Sequence, residues 1–460
     1  MKSYHWCDFD FDSDMFPDAV GYLKRLKERG LRISVWINPY VGQASPLFEE
    51  GKKNGYFIKV RIPVQQRKQK QNRKKNMTDT YQRTDGSVWQ WDFWQAGMAV
   101  VDFTNPAACK WYNSHLERLM EMGVDSFKTD FAERIPVKGV QYHNGADPER
   151  MHNYYALLYN KIVYETLSTR VGRSQGLLFA RSTAPGGQAY PVHWGGDCES
   201  TFEAMAESLR GGLSLMLSGY IFWASDIGGF EGTPPPALYK RWVQFGLLSS
   251  HSRLHGSSSF RVPWIYGEDC SDVLRDCVKR KILLTPYILQ EALRGHRDGT
   301  PLMRPLFLEF PEDLNTYAVD TQYMFGPNLL VAPVFSEEGE VTFYVPRSED
   351  DEAGKWVSWF DHSKCYESGC WYTETHGFDT LPILVRPGSV TVINPTIKAP
   401  EDDALSGVEL LINGRLHGET TIEIVNSAQT DEVLETVQLS PAADGKVEAS
   451  GHPVKLVYVA

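Results

Sequence analysis

The sequence predicts an α/β fold of parallel strands with helical crossovers, followed by all-β domains. Helix-like and strand-like segments alternate from residue 1 to about residue 300, and such repeats imply parallel strands joined by helices. Polar residues cluster just past the strand-like runs, as on the active face of a β/α barrel. After Pro301, short β-type runs alternate with turns, which is typical of β-sandwiches.

The elements before residue 300 are predicted from capping residues and from apolar periodicity. Asn105 and Pro106 stand at a helix start as cap and first-turn residue, and Gly123 ends that helix. In chain order the prediction is a helix over 20–27, a strand over 31–37, a helix over 105–123, a strand over 124–129, a helix over 148–171, a strand over 177–180, strand-like pieces over 191–197, 220–226 and 246–251, and a helix over 272–291.

Runs over 329–335, 341–345 and 381–385 read as strands of the later β-rich part. The predicted organisation is therefore a partial β/α barrel over 1–300, with a basic insert over 60–82, a proximal β-sandwich over 301–395 and a distal β domain over 396–460.

Composition limits the classes of function. The chain has 460 residues, 42% hydrophobic residues and a net charge of −11, so a sizeable core is expected and nucleic acid is not an expected partner. Seven scattered cysteines predict reduced thiols, although Cys365 and Cys370 are close enough in sequence to pair. No membrane-spanning run or signal peptide is found, and outside 60–82 no glycosylation sequon occurs, which favours the cytoplasm. A homo-oligomer is compatible with the sequence.

The segment 60–82 differs from its surroundings. It holds seven Arg or Lys residues and one Asp, so one interpretation is a solvated basic loop or a nucleic-acid patch. The preferred interpretation is a retained intron of 23 codons: every Val60 codon begins with GT, Gln82 can be encoded by CAG, and Thr78-Asp79 can encode a branch-point-like string.

Two carboxylates follow strand-like runs and are candidates for an acid and a nucleophile. Asp130 ends the run from Ser126, and it is either a carboxylate nucleophile kept ionised by nearby cations or a structural partner of Lys128 or Arg134. Asp197 follows Gly195-Gly196, where it is either a proton donor or a turn residue. Paired carboxyl groups of this kind carry out glycosidic-bond cleavage.

Other side chains past the strand ends are candidates for a sugar pocket, each with a structural alternative. Arg181 either forks two hydroxyls or forms an ion pair at the barrel rim. His255 is a loop histidine, and Asp226 is a third carboxylate that binds hydroxyls or tunes a neighbour. Trp36, Trp94 and Trp194 either stack on sugar faces or belong to the core. No metal-ligand spacing and no phosphate-binding loop is present.

Three long motifs stand out: KTDFxERIP at 128–136, HWGGD at 193–197 and DIGGF at 226–230. Together they resemble glycoside hydrolase family 31, in particular its α-xylosidase branch. The resemblance implies a retaining, exo-acting enzyme on a (β/α)8 TIM barrel that releases α-linked xylose from xyloglucan-type oligosaccharides without a cofactor or metal. It implies Asp130 as nucleophile and Asp197 as acid/base, and it assigns the sugar pocket to Trp36, Trp94, Lys128, Phe131, Arg181, Trp194, Asp226 and His255.

Departures from the family pattern leave alternatives open. Ala132 stands where this branch usually has Gly, and the family has further residues before the point where this chain begins, so Met1 is expected to be an internal methionine. A barrel without its first strands would expose open edges. An α-glucosidase or transglycosylase of the same family, and an inactive, truncated sugar-binding remnant, are the alternative functions.

Overall fold

The computed structural model describes residues 7–63, 81–83, 86–173, 175–348, 352–399, 402–425, 433–442 and 446–459. The chain divides into two compact units, Met1–Val192 and His193–Ala460. Most of the predicted insert, residues 64–80, lies outside the described residues, so its interpretation stays a prediction. The predicted domain boundaries also stay predictions.

Helices and short strands alternate in the first unit. Its helices are α1 (Ala19–Glu28), α2 (Pro46–Asn54), α3 (Pro106–Met122) and α4 (Pro148–Val171). Its strands are β1 (Ser34–Ile37), β2 (Tyr40–Val41), β3 (Lys59–Val60), β4 (Ile62–Pro63), β5 (Tyr81–Arg83), β6 (Gln90–Trp91), β7 (Met98–Val100), β8 (Ser126–Thr129), β9 (Val140–Gln141) and β10 (Leu178–Ala180). The helices predicted in this part of the chain are confirmed, and α4 has the predicted bounds.

The helix boundaries follow from capping. The Asn105 side chain accepts a hydrogen bond from the amide of Ala107 at 3.0 Å, and Pro106 needs no amide donor in the first turn. Gly123 ends α3 in the left-handed conformation with φ 119°. Asp147 caps α4 in the same way, through the amide of Glu149 at 3.0 Å.

Strand β8 is the middle of three parallel strands in this unit. It pairs with β1 on one side and β10 on the other, and Thr129 is in register with both Ile37 and Ala180. Helix α4 contacts this sheet, where Asn160 Oδ1 accepts a hydrogen bond from the Thr129 hydroxyl at 2.8 Å. The residues that follow these strands, Asp130 and Arg181, are therefore placed side by side at the carboxyl edge.

The second unit begins with helices and strands and continues as β structure. Its helices are α5 (Phe202–Met216), α6 (Pro236–Gly246), α7 (Glu268–Leu283), α8 (Thr285–Asp298) and α9 (Leu306–Glu309). Its strands are β11 (His193–Trp194), β12 (Trp223–Ala224), β13 (Asp226–Ile227), β14 (Arg253–Leu254), β15 (Met303–Arg304), β16 (Tyr323–Phe325), β17 (Leu329–Val331), β18 (Glu340–Val345), β19 (Trp356–Ser358), β20 (Cys365–Tyr366), β21 (Cys370–Thr375), β22 (Ile383–Val385), β23 (Ser389–Ile393), β24 (Glu409–Asn413), β25 (Thr420–Val425), β26 (Val433–Pro441), β27 (Val447–Gly451) and β28 (Lys455–Tyr458).

The strand predicted over 246–251 is wrong. Gly246 is the last residue of α6, a helix that the sequence analysis did not find; its residues Ala237–Gly246 are all buried, including the polar Lys240, Arg241 and Gln244. A turn follows, in which the Ser249 hydroxyl lies within hydrogen-bond distance of the Gly246 carbonyl at 2.7 Å and the His251 carbonyl at 2.6 Å. These side-chain hydrogen bonds to the backbone favour a turn over a strand.

The single helix predicted over 272–291 is also wrong. Two helices, α7 and α8, meet at Leu284, directly before Thr285-Pro286. Proline lacks the amide donor that would continue α7, and it fits the first turn of a new helix. The strands predicted over 31–37, 191–197 and 220–226 exist but are shorter, since regular pairing covers only β1, β11 and β12 with its neighbour β13.

The later β structure forms several sheets. A six-stranded sheet has the order β15-β16-β17-β22-β19-β20, and β18 pairs with β21. Strands β23, β24 and β28 form one three-stranded sheet and β25, β26 and β27 another. Trp242 of α6 and Trp356 of β19 belong to one buried cluster, so the helices and the first of these sheets share a core within this unit.

All seven cysteines, including Cys365 and Cys370, are free. Among the described residues, no helix has both the length and the apolar character needed to cross a membrane.

Candidate active site

The Asp130 carboxylate is the centre of a polar cluster in the first unit. It is 6% exposed. Its Oδ2 accepts a hydrogen bond from Trp36 Nε1 at 2.6 Å and lies 3.8 Å from Lys128 Nζ. Its Oδ1 accepts from the amide of Phe131 at 2.8 Å and lies 3.0 Å from Arg181 Nη1. Two cations and two N–H donors thus offset the charge of a buried carboxylate, as a preorganised anion requires.

Phe131 lies in the middle of an aromatic group beside this carboxylate. Its ring centroid is 4.4 Å from that of Trp94 and 6.1 Å from that of Trp36. The Arg181 guanidinium lies 4.6 Å above the Phe131 ring. Trp36 and Trp94 are half-buried, so their faces are partly accessible. Apolar faces next to charged groups are the surfaces that sugars use in binding sites.

Arg181 bridges two acids. Besides Asp130, it forms an ion pair with Glu133, whose backbone carbonyl accepts a hydrogen bond from Tyr40 OH at 3.0 Å. Arg134, an alternative partner for Asp130 in the sequence analysis, instead lies 4.8 Å above the ring of Phe93.

The backbone after Asp130 has an uncommon conformation. Phe131, Ala132 and Arg134 have φ values of 61°, 75° and 59°, in the left-handed region that side chains rarely adopt. Ala132 is fully buried. The glycine that the α-xylosidase branch usually has at position 132 fits this conformation, because glycine adopts positive φ without a steric penalty. Strain of this kind concentrates at functional sites.

In the second unit, Asp226 and Trp194 are brought together by Arg253. Asp226 is completely buried, and its Oδ1 accepts a hydrogen bond from Arg253 Nε at 2.9 Å and a second, shorter one from Nη2. The Arg253 guanidinium lies 5.0 Å above the Trp194 ring. The carboxylate is therefore held by a bonded cation, and the same cation covers one aromatic face.

Burial lowers the pKa of three basic groups in the same unit as Arg253. Burial lowers the pKa of His193 to about 4. Burial, with the cations Lys281 and Arg253, lowers the pKa of His251 to about 3. Burial also lowers the pKa of Lys281 to about 7, while its Nζ donates to the Ser249 carbonyl at 2.7 Å. This packing fixes the turn that carries Arg253.

Asp197 lies in an exposed bend after β11. The residues that follow it pair with the turn after β13: the amides of Phe230 and Glu231 donate to the Cys198 carbonyl at 2.7 and 2.9 Å. The Phe230 ring is 5.4 Å from the His255 ring, centroid to centroid. Asp197 and His255 thus both adjoin the turn that begins at Asp226.

The structure groups the predicted residues within each unit. Trp36, Trp94, Lys128, Phe131 and Arg181 surround Asp130 in the first unit. In the second, Trp194 joins Asp226, and His255 adjoins the same turn as Asp197. The sequence analysis missed Glu133 and Arg253 as partners, although Glu133 stands inside the motif at 128–136. No group of metal-ligating side chains is found in the described part of the chain.

Two family models match the chain. The model described as the glycosyl hydrolases family 31 TIM-barrel domain matches residues 1–291. The model described as the family 31 C-terminal domain matches residues 299–391. The predicted fold class, a TIM barrel followed by β-rich structure, is confirmed.

Curated relatives match nearly the whole chain. It is 73% identical over 441 residues to an α-xylosidase of Emericella nidulans, covering 96% of this chain and 54% of the relative. It is 42% identical over 481 residues to the α-xylosidase XylQ of Lactiplantibacillus pentosus, covering 100% of this chain and 59% of the relative. The chain therefore spans about half the length of these relatives.

Solved structures share the fold. A family 31 dextranase of Flavobacterium johnsoniae in complex with glucose superposes with a TM-score of 0.81 at 24% identity, covering 96% of this chain and 54% of that one. At this identity the similarity concerns the fold alone. The motifs, the two family models and the curated relatives agree, and the chain belongs to glycosyl hydrolase family 31.

Proposed function

We propose that this chain carries the catalytic part of a retaining, exo-acting α-xylosidase that releases α-linked xylose from the non-reducing end of xyloglucan-type oligosaccharides. The observation that carries the proposal is the Asp130 carboxylate, buried between Arg181 and Lys128 and oriented by Trp36 Nε1. The identity of 73% to an α-xylosidase supports xylose as the sugar that is released.

In the proposed reaction, Asp130 attacks the anomeric carbon and displaces the glycosidic oxygen. Asp197 donates its proton to that oxygen, so the aglycone leaves as a neutral alcohol and a glycosyl ester forms on Asp130. Asp197, now ionised, removes a proton from water, which attacks the anomeric carbon. The ester bond breaks, xylose leaves with retained configuration, and both carboxyl groups return to their initial states.

The remaining side chains are proposed to bind the sugar. Lys128, Arg181 and Asp226 offer charged groups to the hydroxyls, and His255 offers a ring nitrogen. The aromatic residues Trp36, Trp94, Phe131 and Trp194 offer apolar faces. No cofactor is included in the proposal, since acid, base and nucleophile are all side chains.

The proposal is tested by replacing Asp130 with Ala and measuring turnover of an aryl α-xyloside and the matching α-glucoside. We expect Asp130→Ala to abolish turnover, and we expect the parent to prefer the xyloside. Trapping with a 5-fluoro-α-xylosyl fluoride should place the sugar on the peptide that contains Asp130.

Asp102→Asn is the matched control, because Asp102 is a buried carboxylate of the same unit that accepts hydrogen bonds from Thr104 and the amide of His143. This variant is expected to lose stability and to keep its turnover per folded molecule. Retained turnover in Asp130→Ala, or sugar trapped on another residue, would refute the nucleophile assignment. Faster turnover of the glucoside by the parent would instead support the α-glucosidase alternative.

We propose a cytoplasmic location for the protein, supported by the lack of a sequon outside 60–82. A homo-oligomeric state stays a prediction.

A further inference from the structure

Arg261 is a buried cation whose partners are all uncharged. It is 3% exposed. Its Nε and Nη2 donate to the Gly229 carbonyl at 3.1 and 2.8 Å, and Nη2 also donates to the Gly232 carbonyl at 2.8 Å. Its Nη1 donates to the Ser259 carbonyl at 2.9 Å. Among the described residues, no carboxylate lies within ion-pair distance of this guanidinium.

Burying a cation without a counter-ion has a high desolvation cost, which is offset here only by the hydrogen bonds that Arg261 makes to carbonyls and hydroxyls. The planar guanidinium presents several donors in a fixed arrangement, so it also fixes the direction of each acceptor. Three of the acceptors, the carbonyls of Gly229, Phe230 and Gly232, belong to one segment, the turn 229–232, so Arg261 constrains the shape of that turn.

The turn 229–232 is paired with the segment that follows Asp197. Phe230 and Glu231 donate to the Cys198 carbonyl, and the Glu231 carbonyl accepts from the Ser200 amide at 2.9 Å. The Ser200 hydroxyl also donates to the Glu231 carbonyl at 2.7 Å and lies 3.4 Å from Arg261 Nη2.

The two backbones are close enough that glycine is required. Gly229 has φ 79°, and a Cβ atom added there would lie 2.7 Å from the Glu199 carbonyl oxygen. A shift of the turn is therefore transmitted to 198–200, because these backbones have no space in which to move independently.

We infer that Arg261 is a positioning residue for the proton donor Asp197, acting through the turn 229–232 and the paired segment 198–200. The inference rests on the proposed function, in which Asp197 is the acid/base. Arg261 contacts neither Asp197 nor the reacting atoms in this role. Its effect is to fix the backbone from which the carboxyl group extends.

The test is Arg261→Lys in the full chain, with kcat/KM measured on a xyloglucan oligosaccharide and on α-xylosyl fluoride. The first substrate needs a proton on its leaving oxygen, whereas fluoride leaves with little acid assistance. A displacement of about 1 Å in a catalytic group reduces rates by about 100-fold. We expect a loss of about that size on the oligosaccharide and a change of less than about threefold on the fluoride.

Arg241→Lys is the matched control. Arg241 is 2% exposed and donates to the carbonyls of His376 and Gly377, so it is a buried arginine bound to backbone carbonyls in another part of the unit. Arg241→Lys is expected to lower the stability of the protein, but not to reduce kcat/KM selectively on the oligosaccharide. An equal loss on both substrates in Arg261→Lys, or no loss on either, would overturn the inference. Ser200→Ala, a milder change in the same contact, should show a smaller loss with the same selectivity.

Hydrogen exchange gives a readout that does not depend on activity. Arg261→Lys should accelerate exchange in peptides covering 198–200 and 229–232, whereas Arg241→Lys should not. Unchanged exchange would overturn the inference even if the proposed function were correct. If Asp197→Ala does not lose activity selectively on the oligosaccharide, the assignment of Asp197 as acid/base fails. Accelerated exchange in Arg261→Lys would still show, in that case, that Arg261 fixes the backbone of 198–200.

Discussion

The buried ion pair between Asp226 and Arg253 allows a quantitative test of the second unit. Replacing Arg253 with Met removes the cation but keeps most of the side-chain volume. Asp226 is completely buried, so its carboxylate would lose the guanidinium that compensates its charge. Breaking one side of a buried pair in this way costs about 3–5 kcal/mol. The cation–π contact with Trp194 adds about 0.5–2 kcal/mol, because the guanidinium lies 5.0 Å from that ring.

The surface pair between Arg210 and Asp320 is the comparison. Arg210 Nε lies 2.8 Å from Asp320 Oδ2, but the two side chains are 36% and 60% exposed. Exposed pairs contribute about 0–1 kcal/mol. If only the contact geometry mattered, the two ion pairs would contribute equally to stability. Because only the first pair is buried, we expect Arg253→Met to lower the free energy of unfolding several times more than Arg210→Met.

The assay is urea unfolding of both variants, of Asp226→Asn, and of Arg253→Met combined with Asp226→Asn. The asparagine removes the uncompensated charge, so the double variant should recover most of the loss, and a double-mutant cycle gives the coupling. If Arg253→Met lowers the free energy of unfolding no more than Arg210→Met does, or if adding Asp226→Asn restores none of the loss, burial does not determine the strength of these ion pairs.

Two further predictions concern a titrating lysine and a helix cap. Because the pKa of Lys281 is lowered to about 7, the unfolded chain binds one more proton than the folded chain between about pH 7 and 10.5, and this group makes stability rise by about 1.4 kcal/mol per pH unit in that window. Urea unfolding at several pH values should show this rise in the difference between the parent and Lys281→Met, and a constant difference would contradict it. Asn105→Ala should cost about 1–2 kcal/mol, since the side chain caps α3 and also donates to the Gly55 carbonyl. Asp147→Ala at the start of α4 removes an exposed cap and an exposed ion pair with Arg150, and it should cost less in the same urea unfolding measurement. Equal costs would count against a contribution from the hydrogen bond of Asn105 to the Gly55 carbonyl.

Much of the first unit could be predicted from sequence because its signals are local. The cap at Asn105 and the glycine at Gly123 define α3 without any knowledge of its neighbours. The position of Asp130 after an apolar strand likewise follows from the chain itself. Long-range pairing is different: the contact of Arg181 with both Asp130 and Glu133 depends on the register of β8 and β10, which the sequence does not display.

The errors in the second unit have physical causes of the same kind. Helix α6 is buried along Ala237–Gly246, and its polar residues Lys240, Arg241 and Gln244 hydrogen-bond to other parts of the unit, so they do not mark a solvent-exposed face. The turn after Gly246 is stabilised by the hydroxyl groups of Ser249 and Ser252, which both donate to the Gly246 carbonyl. In the sequence, these serines next to Leu247 and Leu248 resemble a short strand. Arg261 was not selected as a candidate because its role depends on a turn that is distant in sequence.

The conformation after Asp130 has a consequence for how substrate preference changes during evolution. The Phe131 amide that orients the carboxylate is supplied by the main chain, at the start of the left-handed segment, and does not depend on which side chains line the pocket. In the proposed function Trp94 lines the sugar pocket, and its substitution would alter the choice of sugar while this amide contact to the carboxylate is preserved. New specificities would then become accessible by single steps, whereas changes to the backbone of 131–134 would alter the proposed reaction itself.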